Sequence, residues 1–246
     1  LRDHGYQTAC IGKWHLGITW YDEEGNPANN RIAMYDKLWS GDSAMVERIE
    51  TAEESIDFSK PFTGGPVDHG FDYYFGDGVP NFPPYTWIEN DRVVDLPTVP
   101  KPKSMFGADG LMREGWVLEE VLPTLTEKAR EWILSEAEKD QPYFLYFSLT
   151  SPHTPIAPSE PFKGKSGISR FADFVMETDW TVGQILEAVE ASGEKDNTLV
   201  IFTADNGTSK VCNFAHLERN GVHLRNQLRG HKLLIYEGGH RVPFFA

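Results

Sequence analysis

Three short runs of residues along the chain predict β-strands. Residues 6–12 form the first run, and Tyr143–Leu149 and Thr198–Phe202 form two later runs that are almost entirely apolar. Short continuous apolar runs of this kind are typical of strands that are covered on both faces. The two later strands are therefore predicted to be buried.

Apolar residues repeat with helical spacing over residues 124–138 and 169–191. Thr124 and Glu127 have the spacing of a capping box at the start of the first helix. Gly193 is placed to end the second helix. The inward faces are predicted to consist of Leu125, Ala129, Trp132, Ile133 and Ala137 in the first helix, and of Phe171, Phe174, Val175, Val182, Ile185, Leu186 and Val189 in the second.

The alternation of helices and apolar strands predicts an α/β fold with a mixed, largely parallel sheet sandwiched by helices. In such sheets the functional residues gather at the carboxyl ends of the strands. His153 comes soon after the second predicted strand, and Asp205 and Asn206 come soon after the third. These three residues are therefore candidates for one site.

Lys13 and His15 stand at the end of the first predicted strand. Residues two apart on a strand point to the same face, so the ammonium and the imidazole would face one way and form a site for an oxyanion. Taken alone, such a pair is more often a solvated lysine beside a surface histidine, because short motifs are weak evidence.

The pattern around this pair is longer than the pair itself. Residues 5–17 read G-Y-x-T-x-x-x-G-K-x-H-x-G, which resembles the second signature of the sulfatase family. Residues 151–155 (S-P-H-T-P), 203–207 (T-A-D-N-G) and 229–243 (R-G-H-K leading to E-G-G-H-R-V-P) match that family in order. Residues 70–76 resemble its G-F-D-x-x-x-G. The resemblance extends over nearly the whole chain and implies a fold similar to alkaline phosphatase.

The resemblance also implies roles for the matched residues. Lys13 and His15 would contact a formylglycine hydrate and a sulfate oxygen, and Lys232 would contact the sulfate as well. His153 matches the residue that protonates the leaving oxygen, a role that suits an imidazole because its pKa lies near neutrality.

Asp205 and Asn206 offer hard oxygen ligands that suit Ca²⁺ or Mg²⁺. An isolated D-N-G is otherwise a hairpin turn. The family match favours metal binding, with the remaining ligands supplied by an upstream pair of aspartates and the formylglycine.

The C-x-P-x-R or S-x-P-x-R motif, from which the family makes its formylglycine nucleophile, does not occur in these residues. Cys10 and Cys212 lack its Pro and Arg and are expected to be buried small residues, and Ser159–Lys163 ends in Lys. Residues 1–246 are therefore expected to form part of a sulfatase catalytic domain, truncated at both ends and inactive alone. The motif and a formylglycine-generating maturation enzyme would belong to the full-length protein.

Composition limits the choice of partners. The net charge is −14, from 23 basic and 37 acidic residues, which argues against a nucleic-acid surface. An acidic protein can still bind an anionic sulfate ester where a few cationic groups and a metal converge, because the local field governs binding there. No run approaches the length of a membrane span.

The polar, acidic residues 20–60 are expected to form surface loop, with a turn at 22–27.

Residues 77–104 are rich in proline and aromatic residues, among them Tyr85 and Trp87. Proline discourages long regular elements, so this segment is predicted to be a loop. Its aromatic side chains have two interpretations: they either fill the edge of the core or form a sugar-stacking wall of a substrate pocket. Similar stretches in glycan-acting sulfatases favour the pocket, and Tyr85 and Trp87 are predicted to bind substrate.

The leading hypothesis is a formylglycine sulfatase that acts on a small or glycan sulfate ester, with a sulfated sugar as the favoured substrate. A phosphonate or phosphodiester hydrolase of the same superfamily is an alternative, and activity on paired sulfate and phosphate esters separates the two. A third reading is a non-catalytic sulfoglycan-binding relative. The resemblance to the family implies that the protein is periplasmic, secreted or lysosomal.

Overall fold

A computed structural model describes residues 1–28, 55–224 and 228–246 of the chain. Its strands are β1 Gln7–Lys13, β2 Tyr73–Gly78, β3 Ile88–Glu89, β4 Arg92–Val93, β5 Val99–Pro100, β6 Leu111–Met112, β7 Tyr143–Ser148, β8 Phe202–Thr203 and β9 Phe244–Phe245. Its helices are α1 Val121–Ala137, α2 Arg170–Ala191, α3 Phe214–Arg219 and α4 Glu237–His240. In the described part, strands β1–β6 precede the first α-helix, and strands and helices alternate from α1 to β8.

The main sheet has five strands in the order β4-β3-β2-β1-β7. β1 pairs in parallel with both β2 and β7, while β3 and β4 extend the sheet in antiparallel orientation. The predicted mixed α/β sheet is therefore confirmed. Because β1 lies between two parallel neighbours, the carboxyl ends of β1, β2 and β7 meet at one edge.

One face of this sheet is covered by α1. Ala9 and Ile11 of β1 are fully buried in one core cluster with Leu125 and Ala129 of α1. The predicted apolar stripe of this helix is confirmed, but the predicted capping box is wrong. The helix begins earlier, after Glu120, without a side-chain cap, so the Thr124 position already lies inside it.

The inner face of α2 is more polar than the sequence pattern predicted. Phe174 and Val189 are buried as predicted, but Val175 is 38% and Leu186 is 47% exposed. Their places are taken by the buried polar residues Asp173, Glu177, Thr178 and Thr181. Ser169 caps the helix through its side chain, and Gly193 follows its end with a φ of 80°.

The second face of the sheet carries a separate aromatic cluster. Cys10 is fully buried there with Trp14 and Tyr74, which confirms its interpretation as a small core residue. Cys212 is likewise buried.

The residues that the structure describes cover this second face only partly along β7. Phe144 and Tyr146 are 39% and 49% exposed, and their rings stack only on Phe71, at centroid distances of 6.4 and 6.3 Å among the described residues. The prediction that residues 143–149 are buried on both faces is therefore wrong for one face.

The third predicted strand is shorter and more exposed than predicted. Only Phe202 and Thr203 form a strand, and they pair in antiparallel fashion with Phe244 and Phe245 rather than with the main sheet. Leu199 is 75% and Ile201 is 53% exposed. The apolar run indicated a strand correctly but not its burial, because these side chains remain largely accessible to solvent.

Two further points concern the loops and the helices. Within the predicted turn, the Asn26 N–H donates to the Asp22 carboxylate at 2.7 Å, which confirms the turn at 22–27. Residues 29–54 of the predicted acidic loop lie outside the described residues.

In the described ranges, no helix is both long enough and apolar enough to cross a membrane.

Candidate active site

Lys13 is the last residue of β1, at the edge where the parallel strands end. The pairing of β1 with β2 shifts there: Ile11 lies opposite Phe75, but Lys13 lies opposite Gly78. β2 therefore carries one additional residue, which makes this a β-bulge of the kind that redirects side chains near functional sites.

His15 does not continue the strand. The strand ends at Lys13, and His15 adopts a φ of 55° in the following loop. Strand alternation therefore does not relate the two side chains, and the geometric reason for expecting them on one face does not hold. The imidazole of His15 lies 6.4 Å from the ring of Phe82, measured between centroids.

His153 lies in the loop after β7, and this loop is fixed to α2. The Thr178 hydroxyl donates to the Ser151 hydroxyl at 2.8 Å, and both residues are buried. Nδ1 of His153 lies 2.7 Å from the Thr154 carbonyl oxygen. A carbonyl oxygen only accepts hydrogen bonds, so this contact assigns the proton to Nδ1 and leaves Nε2 for other partners.

Asp205 and Asn206 follow β8 in a loop that packs tightly on α4. The N–H of Gly207 donates to the carbonyl of Gly239 at 2.9 Å. A Cβ atom at position 207 would lie 2.0 Å from the carbonyl oxygen of Gly238, so only glycine permits this approach. The glycines of the D-N-G and E-G-G segments therefore hold these two segments together.

Lys232 is attached to the same cluster through its backbone. Its N–H donates to the carbonyl of Thr208 at 3.0 Å, and its carbonyl lies 2.7 Å from Nδ1 of His231. The N–H of Gly238 donates to the carbonyl of Arg229 at 2.8 Å. These contacts bring the R-G-H-K segment beside the D-N-G loop.

The charged groups of these segments act on one another. Loss of hydration lowers the pKa of Lys13, Asp205 raises it, and Lys232 lowers it. Loss of hydration also lowers the pKa of His153 against the effect of the Thr154 carbonyl, while Lys13 and Lys232 lower it further and Asp205 raises it. Two lysines, a histidine and an aspartate, which come from three distant parts of the sequence, are thus close enough for electrostatic interaction.

The oxygen donors of Asp205 and Asn206 fit part of a shell for a hard cation such as Ca²⁺ or Mg²⁺. Calcium takes roughly six or more oxygen ligands. The described residues bring no three His, Cys, Asp or Glu side chains together as a metal-binding group. This pair therefore supplies only a fraction of the ligands that such an ion requires.

Tyr85 and Trp87 are core residues rather than a substrate wall. Tyr85 is 1% and Trp87 is 8% exposed. The Tyr85 hydroxyl donates to the carbonyl of Ala108 at 2.6 Å, and the Trp87 ring lies 5.2 Å from that of Phe75 and 4.8 Å from that of Trp116. The structure corrects the prediction that they bind substrate, because their apolar surface is used in packing.

We expect Trp87→Leu to lower the free energy of unfolding by roughly 1.5–3 kcal/mol, since it shrinks a well-packed ring. Chemical denaturation measures this loss, and KM for a glycan substrate should not change. Trp180→Leu is the matched control, because Trp180 is 38% exposed, and it should cost less than about 0.5 kcal/mol. A raised KM with unchanged stability would restore the substrate-wall interpretation.

Asp77 is a buried acidic residue of β2 that the sequence pattern did not single out. It is 3% exposed, and neither carboxylate oxygen has a hydrogen-bond partner among the described residues. Burial raises its pKa to about 7, against the opposing effects of its own backbone N–H and of Lys13. Its position directly after Gly76, at the end of a matched motif, was the available signal.

A sequence profile of the family described as Sulfatase matches residues 1–246. The chain belongs to the sulfatase family. It is 30% identical over 267 residues to an N-acetylgalactosamine-6-O-sulfatase of Bacteroides thetaiotaomicron, covering all of this chain and 50% of that protein. It is also 30% identical to the human N-acetylgalactosamine-6-sulfatase, covering all of this chain and 38% of that protein. The sulfatase-family chain thus spans half or less of the length of these relatives.

Solved structures have the same fold as this sulfatase-family chain. One, described under the metabolism of multiple glycosaminoglycans by Bacteroides thetaiotaomicron, superposes with a TM-score of 0.74 and 25% identity over 99% of this chain and 52% of that one. The PsFucS1 sulfatase from Pseudoalteromonas sp. superposes with a TM-score of 0.60 over 99% of this chain and 42% of that one. At 19% identity, the second likeness concerns the fold alone.

Proposed function

We propose that this sulfatase-family protein hydrolyses sulfate esters of a carbohydrate. The observation that carries the proposal is the electrostatic grouping of Lys13, His153, Lys232 and Asp205. Two ammonium groups beside an imidazole suit a sulfate ester, which needs cationic partners for its oxygens and a proton for the departing oxygen. The names of the N-acetylgalactosamine sulfatases among its relatives support a sugar substrate.

In the proposed reaction, the residues of this chain would bind the sulfate group and protonate the leaving oxygen. Lys13, His15 and Lys232 bind and orient the sulfate group. His153 donates a proton from Nε2 to the ester oxygen as the sulfur–oxygen bond breaks, so that the sugar leaves as a neutral alcohol. The Thr154 carbonyl holds the other ring nitrogen and so fixes the direction in which Nε2 points.

The proposal includes two components that residues 1–246 do not supply in full. Asp205 and Asn206, with further ligands, would hold Ca²⁺ or Mg²⁺, and such a cation stabilises negative charge on sulfate oxygens. A formylglycine, installed by a maturation enzyme, would be the nucleophile. The chain's own contribution is the binding of the sulfate and the delivery of the proton.

We expect the enzyme made from its full coding sequence to hydrolyse p-nitrophenyl sulfate and 6-O-sulfated N-acetylgalactosamine, and to have a lower kcat/KM for p-nitrophenyl phosphate. The two lysines suit either anion, so the comparison of matched esters decides the reaction class. Release of nitrophenol and of inorganic sulfate measures the two rates.

Two other results would each replace the proposal. A preference for the phosphate, or for a phosphodiester or phosphonate, would assign the protein to the related hydrolases. Binding of the sulfated sugar without turnover by the metal-loaded, fully matured protein would assign it to the non-catalytic sulfoglycan binders.

A further inference from the structure

The carboxylate of Asp77 is not explained by the stability of the fold. It is 3% exposed, and among the described residues no other residue donates a hydrogen bond to either oxygen, although the backbone N–H of Asp77 itself lies close enough to lower its pKa. A buried carboxylate with no partner from another residue is costly, and such groups in native proteins call for an explanation such as a functional role. Asp173, which is also 3% exposed, differs in this respect, because it accepts hydrogen bonds from Gly164 N–H and Ser166 N–H at 2.8 Å each.

The backbone around Asp77 is built to place this side chain. Asp77 lies in the bulge of β2, between the paired positions Phe75 and Gly78. The hydroxyl of Tyr74 fixes the bulge: it donates to the carbonyl of Gly12 at 3.1 Å and accepts from the N–H of Gly78 at 3.3 Å. Tyr74 is fully buried, so the bulge is a rigid part of the core.

The bulge also joins Asp77 to the end of β1. Gly12, which accepts from Tyr74, is followed directly by Lys13, and Lys13 pairs with Gly78. The two charges act on each other, since Lys13 lowers the pKa of Asp77 and Asp77 raises the pKa of Lys13. The register therefore places Asp77 in the bulge directly beside the strand end that carries Lys13.

We propose that Asp77 is a positioning residue that orients the Lys13 ammonium toward a bound sulfate group, an inference that rests on the proposed sulfatase function. Both oxygens of Asp77 are enclosed by protein, so the carboxylate does not reach a substrate and acts through Lys13. Lys232 has an opposing role, because its charge repels the ammonium of Lys13. Above its pKa of about 7, the ionised carboxylate of Asp77 offsets that repulsion, so the effect of Asp77 should be measured at a pH above 7.

The test uses the enzyme made from its full coding sequence, with p-nitrophenyl sulfate turnover and inorganic sulfate binding by calorimetry as separate readouts. We expect Asp77→Asn to lower kcat/KM and to weaken sulfate binding by about tenfold or more, which is the scale of one charge-assisted interaction. Its melting temperature should not fall, because the neutral amide relieves a buried charge.

A double-mutant cycle with Lys13→Gln separates positioning from a structural role. If Asp77 acts through Lys13, Asp77→Asn should cause little further loss once Lys13 is Gln, whereas independent effects multiply. Asp173→Asn is the matched control, because it removes a buried, hydrogen-bonded carboxylate and should lower the melting temperature. Any loss of kcat/KM or sulfate affinity that it causes should multiply with the loss caused by Lys13→Gln.

Each outcome decides the inference. Unchanged sulfate affinity in Asp77→Asn, or losses that multiply with Lys13→Gln, would overturn it. If the wild type binds sulfate without turnover, the proposed function fails, while weaker sulfate binding by Asp77→Asn still supports the inference. If the wild type binds no sulfate, the inference fails as well, because there is then no bound sulfate toward which Asp77 could orient Lys13.

Discussion

Replacing His153 with Ala should slow the hydrolysis of an alkyl sugar sulfate by about 10²–10⁴-fold, the usual contribution of a general acid. The same change should affect p-nitrophenyl sulfate much less, because nitrophenolate is a good leaving group that needs little protonation. The reason lies in the loop after β7, where the Thr154 carbonyl holds Nδ1 and leaves Nε2 to act.

The pH dependence provides a second measurement of the same role. The proton-carrying form of His153 is lost as the pH rises through its pKa, and loss of hydration, Lys13 and Lys232 lower that pKa from its ordinary 6.5. The kcat/KM for the sugar sulfate should therefore fall with rising pH around a midpoint below 6.5, since this parameter reports the free enzyme. In His153→Ala this descending limb should be absent.

His4→Ala is the matched control for this experiment. His4 is exposed in the short 3₁₀ turn before β1 and should show wild-type rates on both substrates. Equal losses on the sugar sulfate and the nitrophenyl sulfate in His153→Ala would remove His153 from the acid role and favour a part in binding.

The regular elements that carry their own strong pattern were predictable. Residues 143–149 and 169–191 were predicted, and the structure has Tyr143–Ser148 and Arg170–Ala191. In both cases the sequence has a long apolar or periodic run, and the residues on either side of the run do not continue its pattern. The start of α1 was missed because Pro123 and the residues before Thr124 fit a first helical turn without a side-chain cap.

Burial was less predictable than secondary structure, because it depends on what packs against each side chain. The inner face of α2 includes Glu177, which is fully buried and accepts hydrogen bonds from the N–H and hydroxyl of Ser159. A count of apolar residues cannot find such a face, since the partner lies elsewhere in the chain. Tyr85 illustrates the converse: its loop is rich in proline, yet its ring is buried and its hydroxyl donates to the carbonyl of Ala108.

The candidate site was predictable as a set of motifs but not as a geometry. The matched segments include Lys13, His153, Asp205 and Lys232, which interact electrostatically in the structure. The bulge that presents Asp77 depends on the register between β1 and β2, and a single sequence does not reveal register.

Gly12, which directly precedes Lys13, lies where β1 and β7 approach each other closely beside the candidate site. Gly12 pairs with Ser148 across β1 and β7, and it adopts a φ of 112°. A Cβ atom there would lie 2.0 Å from the carbonyl oxygen of Ser148. That oxygen belongs to the backbone and cannot rotate away, so any side chain at position 12 must push the two strands apart.

Gly12→Ala should therefore lower the free energy of unfolding by about 4 kcal/mol or more, from backbone strain and overpacking combined. Gly17→Ala is the matched control, because Gly17 has the same φ of 112° but no atom within 4 Å of its Cβ position. It should cost only the strain, about 1–3 kcal/mol. Urea denaturation of both variants isolates the clash as their difference. Equal losses would mean that β1 and β7 separate easily, and the edge that carries Lys13 would then not be the rigid support that sulfate binding requires.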